Sequence, residues 1–153
     1  MKVQSSIIEN KYLRVKSINI GACLYEVYDK QKKINLILNL GSKKNYSNKN
    51  FYVGATCGRY AGRISNSRFK IKKKTYRLDG NEGRNTLHGG KIGFDRLKWK
   101  IHHHSKTKII YQLLSKNLDQ GFPGDLNSRC IYEIKNKSLF IKYQYKSNKL
   151  THV

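Results

Sequence analysis

The chain has 153 residues, with 32 Lys+Arg against 9 Asp+Glu and a formal net charge of +23. That length suits one ordinary domain with a real core, and abundant Ile and Leu with 11 Tyr argue against a disordered chain. No apolar run approaches the roughly 18 residues of a helical membrane span, and the start, MKVQSSIIENKYLRV, lacks the continuous apolar stretch of a secretory signal.

In chain order the pattern is mostly period two with turn residues between, the signal for strands. Tyr12 to Ile20 alternates, and Cys23 to Tyr28 follows after Gly21. A turn over Asp29 to Lys33 leads to Ile34–Leu40, which reads as a buried strand. Gly41 to Asn50 reads as a polar loop. Arg68 to Leu78 predicts a hairpin turning on lysines, and Asp79 to Arg84 (DGNEGR) a turn cluster. Strands are expected at Leu97–His103 and Lys108–Ser115, then a loop over Lys116–Leu126 with the only proline. Arg129–Ile134 and Leu139–Tyr145 form the clearest hairpin. In its second strand Leu139, Ile141, Tyr143 and Tyr145 share one face, with Lys142, Gln144 and Lys146 on the other. No long amphipathic helix, repeat or linker interrupts this, so the expected class is an all-β sandwich.

Two readings account for the charge. Clustered cations mark nucleic-acid binders, but here 24 Lys outnumber 8 Arg, and phosphate and base readers favour the forked guanidinium. The cations are spread along the chain, and 14 Asn with 3 Ala and 1 Pro is what an AT-biased genome writes into any fold. No nucleic-acid partner is therefore expected. Cys23, Cys57 and Cys130 form no CxxC pair, which fits a reducing cytoplasm. Of His102, His103 and His104 only the first and last can share a strand face, and with no nearby Cys or carboxylate pair a metal site is not expected.

Three segments are not explained by sheet building. Gly54–Ser67 (GATCGRYAGRISNS) sets Arg59 and Arg63 among glycines, as a polar site floor or as a bulged strand with surface arginines. Asn85–Phe94 (NTLHGGKIGF) follows one histidine with glycines, as a ligand-approach site or as a glycine turn. Asp119–Leu126 (DQGFPGDL) reads as a tight turn carrying an aromatic plug.

Together they resemble the aldose 1-epimerase (galactose mutarotase) family. The matching elements are GRYAGRI at Gly58–Ile64, NTLHGGKIGFDRLKW at Asn85–Trp99 and DQGFPGDL at Asp119–Leu126, in the family's order. The resemblance implies a galactose-mutarotase-like β-sandwich (supersandwich), of which residues 1–153 are an incomplete N-terminal part. It also implies interconversion of the α and β anomers of free hexoses such as galactose and glucose, by a base on the anomeric hydroxyl and an acid on the ring oxygen. No cofactor or metal is implied; the unpaired thiols point to a cytoplasmic location, and the lack of a long apolar run to no membrane partner.

By the same resemblance Arg63, His88 and Gly62 bind substrate, while Arg59 and Asn85 support them. Gly62 stands where the family carries Asn, which removes one amide. Asp125 replaces Asn in the third element. The family's acid and base lie in segments that this sequence does not show, so the general-acid His and base Glu are expected beyond Val153. His152, after Leu150-Thr151, is the one alternative for the acid. The expected product is a truncated form of low or no activity. The alternatives are a hexose-6-phosphate 1-epimerase-like protein, a non-catalytic basic β module binding carbohydrate or nucleic acid, and a gene remnant without function.

Overall fold

A computed structural model describes residues 3–46 and 52–153. Twelve strands are found among them. The first antiparallel sheet holds β1 (Ser5–Glu9), β2 (Leu13–Ile18), β3 (Cys23–Asp29) and β4 (Ile34–Asn35) in sequential order. Two small ribbons follow. One pairs β5 (Arg63–Ile64) with β8 (Thr86–Leu87), and the other pairs β6 (Arg68–Ile71) with β7 (Lys74–Arg77). The second large sheet is antiparallel, ordered β12 (Ser138–Ser147), β11 (Leu126–Lys135), β10 (Lys108–Ser115) and β9 (Lys100–His104).

Alternation in β2 and β11 explains the layering. Leu13 and Val15 point inward from β2, and Leu126, Cys130, Tyr132 and Ile134 from β11. They meet Ile109, Tyr111, Phe94 and Trp99 in one core. Polar bonds tie the layers where tyrosines reach across. Ser17 and Tyr111 hydroxyls lie 2.8 Å apart, and the Tyr132 hydroxyl donates to the Ala22 carbonyl. A buried hydroxyl with such a partner avoids the cost of an unpaired polar group. The sheets are joined along one side, where Trp99 N–H donates to Asn19 O, Gly21 N–H donates to Leu97 O, and Ile20 bridges Lys98.

Strand expectations hold at β2, β3, β6, β7, β10, β11 and β12, within a few residues. β1 is an addition. The Ile34–Leu40 expectation is corrected: only Ile34–Asn35 is strand, and Ile34, Leu36 and Leu38 are exposed. Asn35 is the physical reason. Its Oδ1 accepts from Val27 N–H and its Nδ2 donates to Ile37 O, so a side chain replaces the ladder and the chain leaves the sheet. The Gly41–Asn50 loop is polar in composition, yet Tyr46 closes a single 3₁₀ turn and is fully buried. Residues 47–50 of that loop lie outside the described residues. His104 Nε2 sits 2.9 Å from Ile7 O, so one histidine of the triplet ties β9 to β1.

Candidate sugar site

The three glycine-rich segments converge, and backbone contact is why they need glycine. A Cβ on Gly89 would overlap the Gly58 carbonyl, and one on Gly58 would overlap the Phe94 ring. Gly89 also holds φ +92°, which side chains rarely adopt. The first and second segments are therefore packed main chain to main chain. Phe94 and Trp99 pin the second from below: both are buried, their rings cross edge to face, and Trp99 Nε1 donates to Phe94 O at 3.0 Å.

Arg59 joins the first segment to the third. It is 3% exposed. Its Nε donates to Ser115 Oγ, Nη1 to Pro123 O, and Nη2 to Ser115 O, Lys116 O and Gly124 O, all within 3.0 Å. Burial pushes the guanidinium below its usual value, while Asp119 and Asp125 pull the other way. Phe122, between those carbonyls, is completely buried, the aromatic plug expected of that turn. Arg59 thus braces the loop and does not face solvent. Asp125 acts locally, accepting from Asn117 N–H and the Lys116 ammonium, which together hold its carboxyl below its usual range.

Arg63 and His88 are brought together by the β5–β8 ribbon, in which Arg63 pairs with Leu87. Gly62 completes the junction. Its N–H donates to His88 Nδ1 at 3.1 Å, and its carbonyl accepts from His88 N–H at 3.0 Å. With Nδ1 accepting, a neutral His88 carries its proton on Nε2. Gly62 sits at φ +127°, so its contribution is main chain. Arg63 is exposed and forks onto Glu82, with Nη2 donating to Oε1 at 2.8 Å and Nε to Oε2. The Arg63 hydrogen bond holds the Glu82 carboxyl below its ordinary range, with smaller contributions from the charges of Arg63 and His88. A guanidinium held through two N–H groups still has others to offer a ligand.

Asn85 has a supporting place: its Oδ1 accepts from Asn66 N–H at 3.2 Å and its backbone bonds to Glu82. Two neighbours were not legible as site residues. Tyr52 sets its ring edge-on to His88 at 4.5 Å, with only a lone tyrosine in the sequence to mark it. Asn81 bonds Leu87 and Gly90 through its amide, and its place in the turn cluster was the available signal. His152 lies against Phe69 at 4.6 Å, edge to face, with Tyr60 at 6.4 Å. It is held by rings, and no carboxylate pairs with it among the described residues.

The comparisons with known proteins agree with one another. The sequence pattern of the aldose 1-epimerase family matches residues 4–153. Aldose 1-epimerase of Haemophilus influenzae is 34% identical over 86% of this chain and 39% of its own length. Galactose mutarotase of Sus scrofa is 32% identical over 99% of this chain and 45% of its own. Among solved structures, an aldose epimerase homologue from C. elegans superposes with a TM-score of 0.88 at 27% identity, over 96% of this chain and 47% of that one. Galactose 1-epimerase from Lactobacillus acidophilus gives 0.83 at 28% identity, over 99% and 50%. The chain thus spans about half the length, or less, of these relatives. Its fold is the galactose-mutarotase-like β architecture, and by sequence pattern and by structure alike this chain belongs to the aldose 1-epimerase family.

Proposed function

We propose that residues 1–153 are the N-terminal part of an aldose 1-epimerase domain and carry its sugar-binding elements, with free hexoses such as galactose and glucose as ligands. The observation that carries this reading is the β5–β8 junction, where the Gly62 main chain holds the half-buried His88 imidazole and the next residue, Arg63, presents an exposed guanidinium. Both are donors, suited to hydroxyl and ring oxygens of a sugar. Arg59 and Asn85 hold the surrounding backbone.

Anomer interconversion needs more. One group must remove the anomeric proton while another protonates the ring oxygen, and both must lie within hydrogen-bond reach. Glu82, the acidic group beside this junction, is engaged by Arg63. The acid and base are therefore assigned to the part of the fold that the relatives have and this chain does not span. This protein is expected to bind galactose weakly and to leave mutarotation near the buffer rate. Ligand-observed NMR with galactose, on the native chain and on Arg63→Ala and His88→Ala, tests binding, and loss in both variants is expected. Polarimetry on freshly dissolved α-D-galactose tests catalysis. A rate well above buffer would overturn the division of labour, and no galactose binding by the native chain would overturn the sugar reading.

A further inference from the structure

Six cations fall within the segment from Arg68 to Arg77, at Arg68, Lys70, Lys72, Lys73, Lys74 and Arg77, with no carboxylate between them. The fold gathers them on one ribbon. Among the described residues β6 and β7 pair only with each other, and all six cations are exposed. Alternation sorts the two sides of the ribbon. Phe69 and Tyr76 are half-buried and stack at 5.6 Å, and Phe69 meets the buried Phe122 at 5.7 Å. Lys74 shares that inner side, over the Tyr76 ring at 5.2 Å. Arg68, Lys70 and Arg77 lie on the opposite side, and Lys72 and Lys73 make the turn at the tip. Arg68 stands directly opposite Arg77, where side chains start about 5 Å apart and like charges destabilise the pairing. Among the described residues none of the six forms an ion pair. The first large sheet is built differently: Glu26 bridges Arg14 and Lys16, and Glu9 holds Lys30.

Along the chain the cations are spread, which by itself points away from nucleic acid; the folded ribbon concentrates six of them without a counter-charge. A lysine-rich composition scatters ammonium groups, but it does not set two arginines against each other. Such a repulsion is relieved by an anion, and the shape of the patch chooses which. A single phosphate needs donors converging on one point, whereas these cations run along a ribbon side about 13 Å long and around its tip. A lipid surface is met through exposed apolar and aromatic residues, and here the tip is two lysines while Phe69 and Tyr76 turn inward. A DNA duplex offers a row of phosphodiesters, its major groove of about 12 Å admits a two-stranded ribbon, and a guanidinium forks onto phosphate. We propose that the β6–β7 ribbon docks duplex DNA, with Lys72 and Lys73 entering the major groove and Arg68, Lys70 and Arg77 along the phosphates of one wall. The contacts are to the backbone, so binding is independent of base sequence. The ribbon lies outside the Gly62, Arg63 and His88 junction, so this inference stands apart from the sugar reading.

The test titrates the native chain into a short fluorescent DNA duplex of random sequence and follows anisotropy over a range of salt. Binding at physiological salt is expected, with a steep loss as salt rises. The triple variant Arg68→Gln, Lys70→Gln, Arg77→Gln should bind at least about tenfold more weakly and flatten the log–log salt slope by about 2.7, as three lost phosphate contacts require. A control removes the same charge from exposed positions on the second large sheet, Lys100→Gln, Lys142→Gln and Lys146→Gln, and should stay within about threefold of native. Equal losses in the two variants overturn the proposal, because total charge would then be what binds. So does a native chain that binds no duplex, or that binds phosphatidylserine vesicles in its place. Amide shifts of the native chain on adding DNA should centre on residues 68–77, a readout that stands even if the triple variant fails to fold. Shifts centred elsewhere overturn the proposal.

Discussion

Removing Arg59 should cost more than removing any other cation of this chain. The Arg59→Ala substitution deletes donors to four carbonyls: Ser115, Lys116, Pro123 and Gly124. Ser115 Oγ keeps Asp119 as a partner. Water can reach the half-buried Lys116 bond and Ser115 stays paired with Leu126 in the β10–β11 ladder, which leaves the Pro123 and Gly124 carbonyls unpaired at about 1–3 kcal/mol each. Deleting the buried stem adds a cavity cost of about 2 kcal/mol. Releasing the desolvated guanidinium returns a few kcal/mol. The net loss is about 3 kcal/mol, a large share of the roughly 5–15 kcal/mol that holds a domain together. With a urea slope of about 2 kcal/mol/M, the midpoint should fall by about 1.5 M at unchanged slope. Arg63→Ala is the control: its pair with Glu82 is exposed, and such pairs contribute at most about 1 kcal/mol. Urea titration followed by tryptophan fluorescence reads both, because Trp99 is the only tryptophan and is buried. Equal midpoints for the two variants would refute the bracing role.

Gly89→Ala should be severely destabilising although it adds one methyl. The methyl meets the Gly58 carbonyl and the φ is left-handed, so two independent costs add, at about 1–3 kcal/mol for overpacking and about 1–2 for backbone; circular dichroism melts check it, and a shift under about 2 °C would refute the contact. Alkali should unfold the protein. Burial pushes Tyr132 well above the usual phenol value, and burial followed by the charge of Cys130 pushes Tyr143 up to about 12. A folded value above the unfolded one contributes stability that is fully present below about pH 10 and lost as pH rises through 12. Spectrophotometric titration near 295 nm should show late tyrosines released together with unfolding, and ideal titration at pH 10 for all tyrosines would contradict it.

Much of the fold was legible because its cause is local. Alternation in β2, β10, β11 and β12 sets which side chains share a face, and period two needs no distant partner to be read. Ile34–Leu40 was misread for the opposite reason. Its apolar residues satisfy a strand pattern, but the Asn35 amide captures the backbone groups that a ladder would use. The site was legible as motifs and not as geometry. Arg59 and Arg63 lie four residues apart in similar surroundings, yet one is buried under five bonds and the other stands in solvent. Tyr52 gave no signal and Glu82 only its place in a turn cluster, since their roles come from what folds against them.

The sequence by itself determined the all-β class, the place of the main hairpins and the family, because periodicity and a long ordered motif string are properties of the chain alone. Only the tertiary structure decided which arginine braces and which is exposed on Glu82, and that His88 is held by the Gly62 main chain. It also decided that the inner face of β12 is left uncovered. Burial, hydrogen-bond partners and open edges depend on residues far apart in sequence, and no local pattern encodes them.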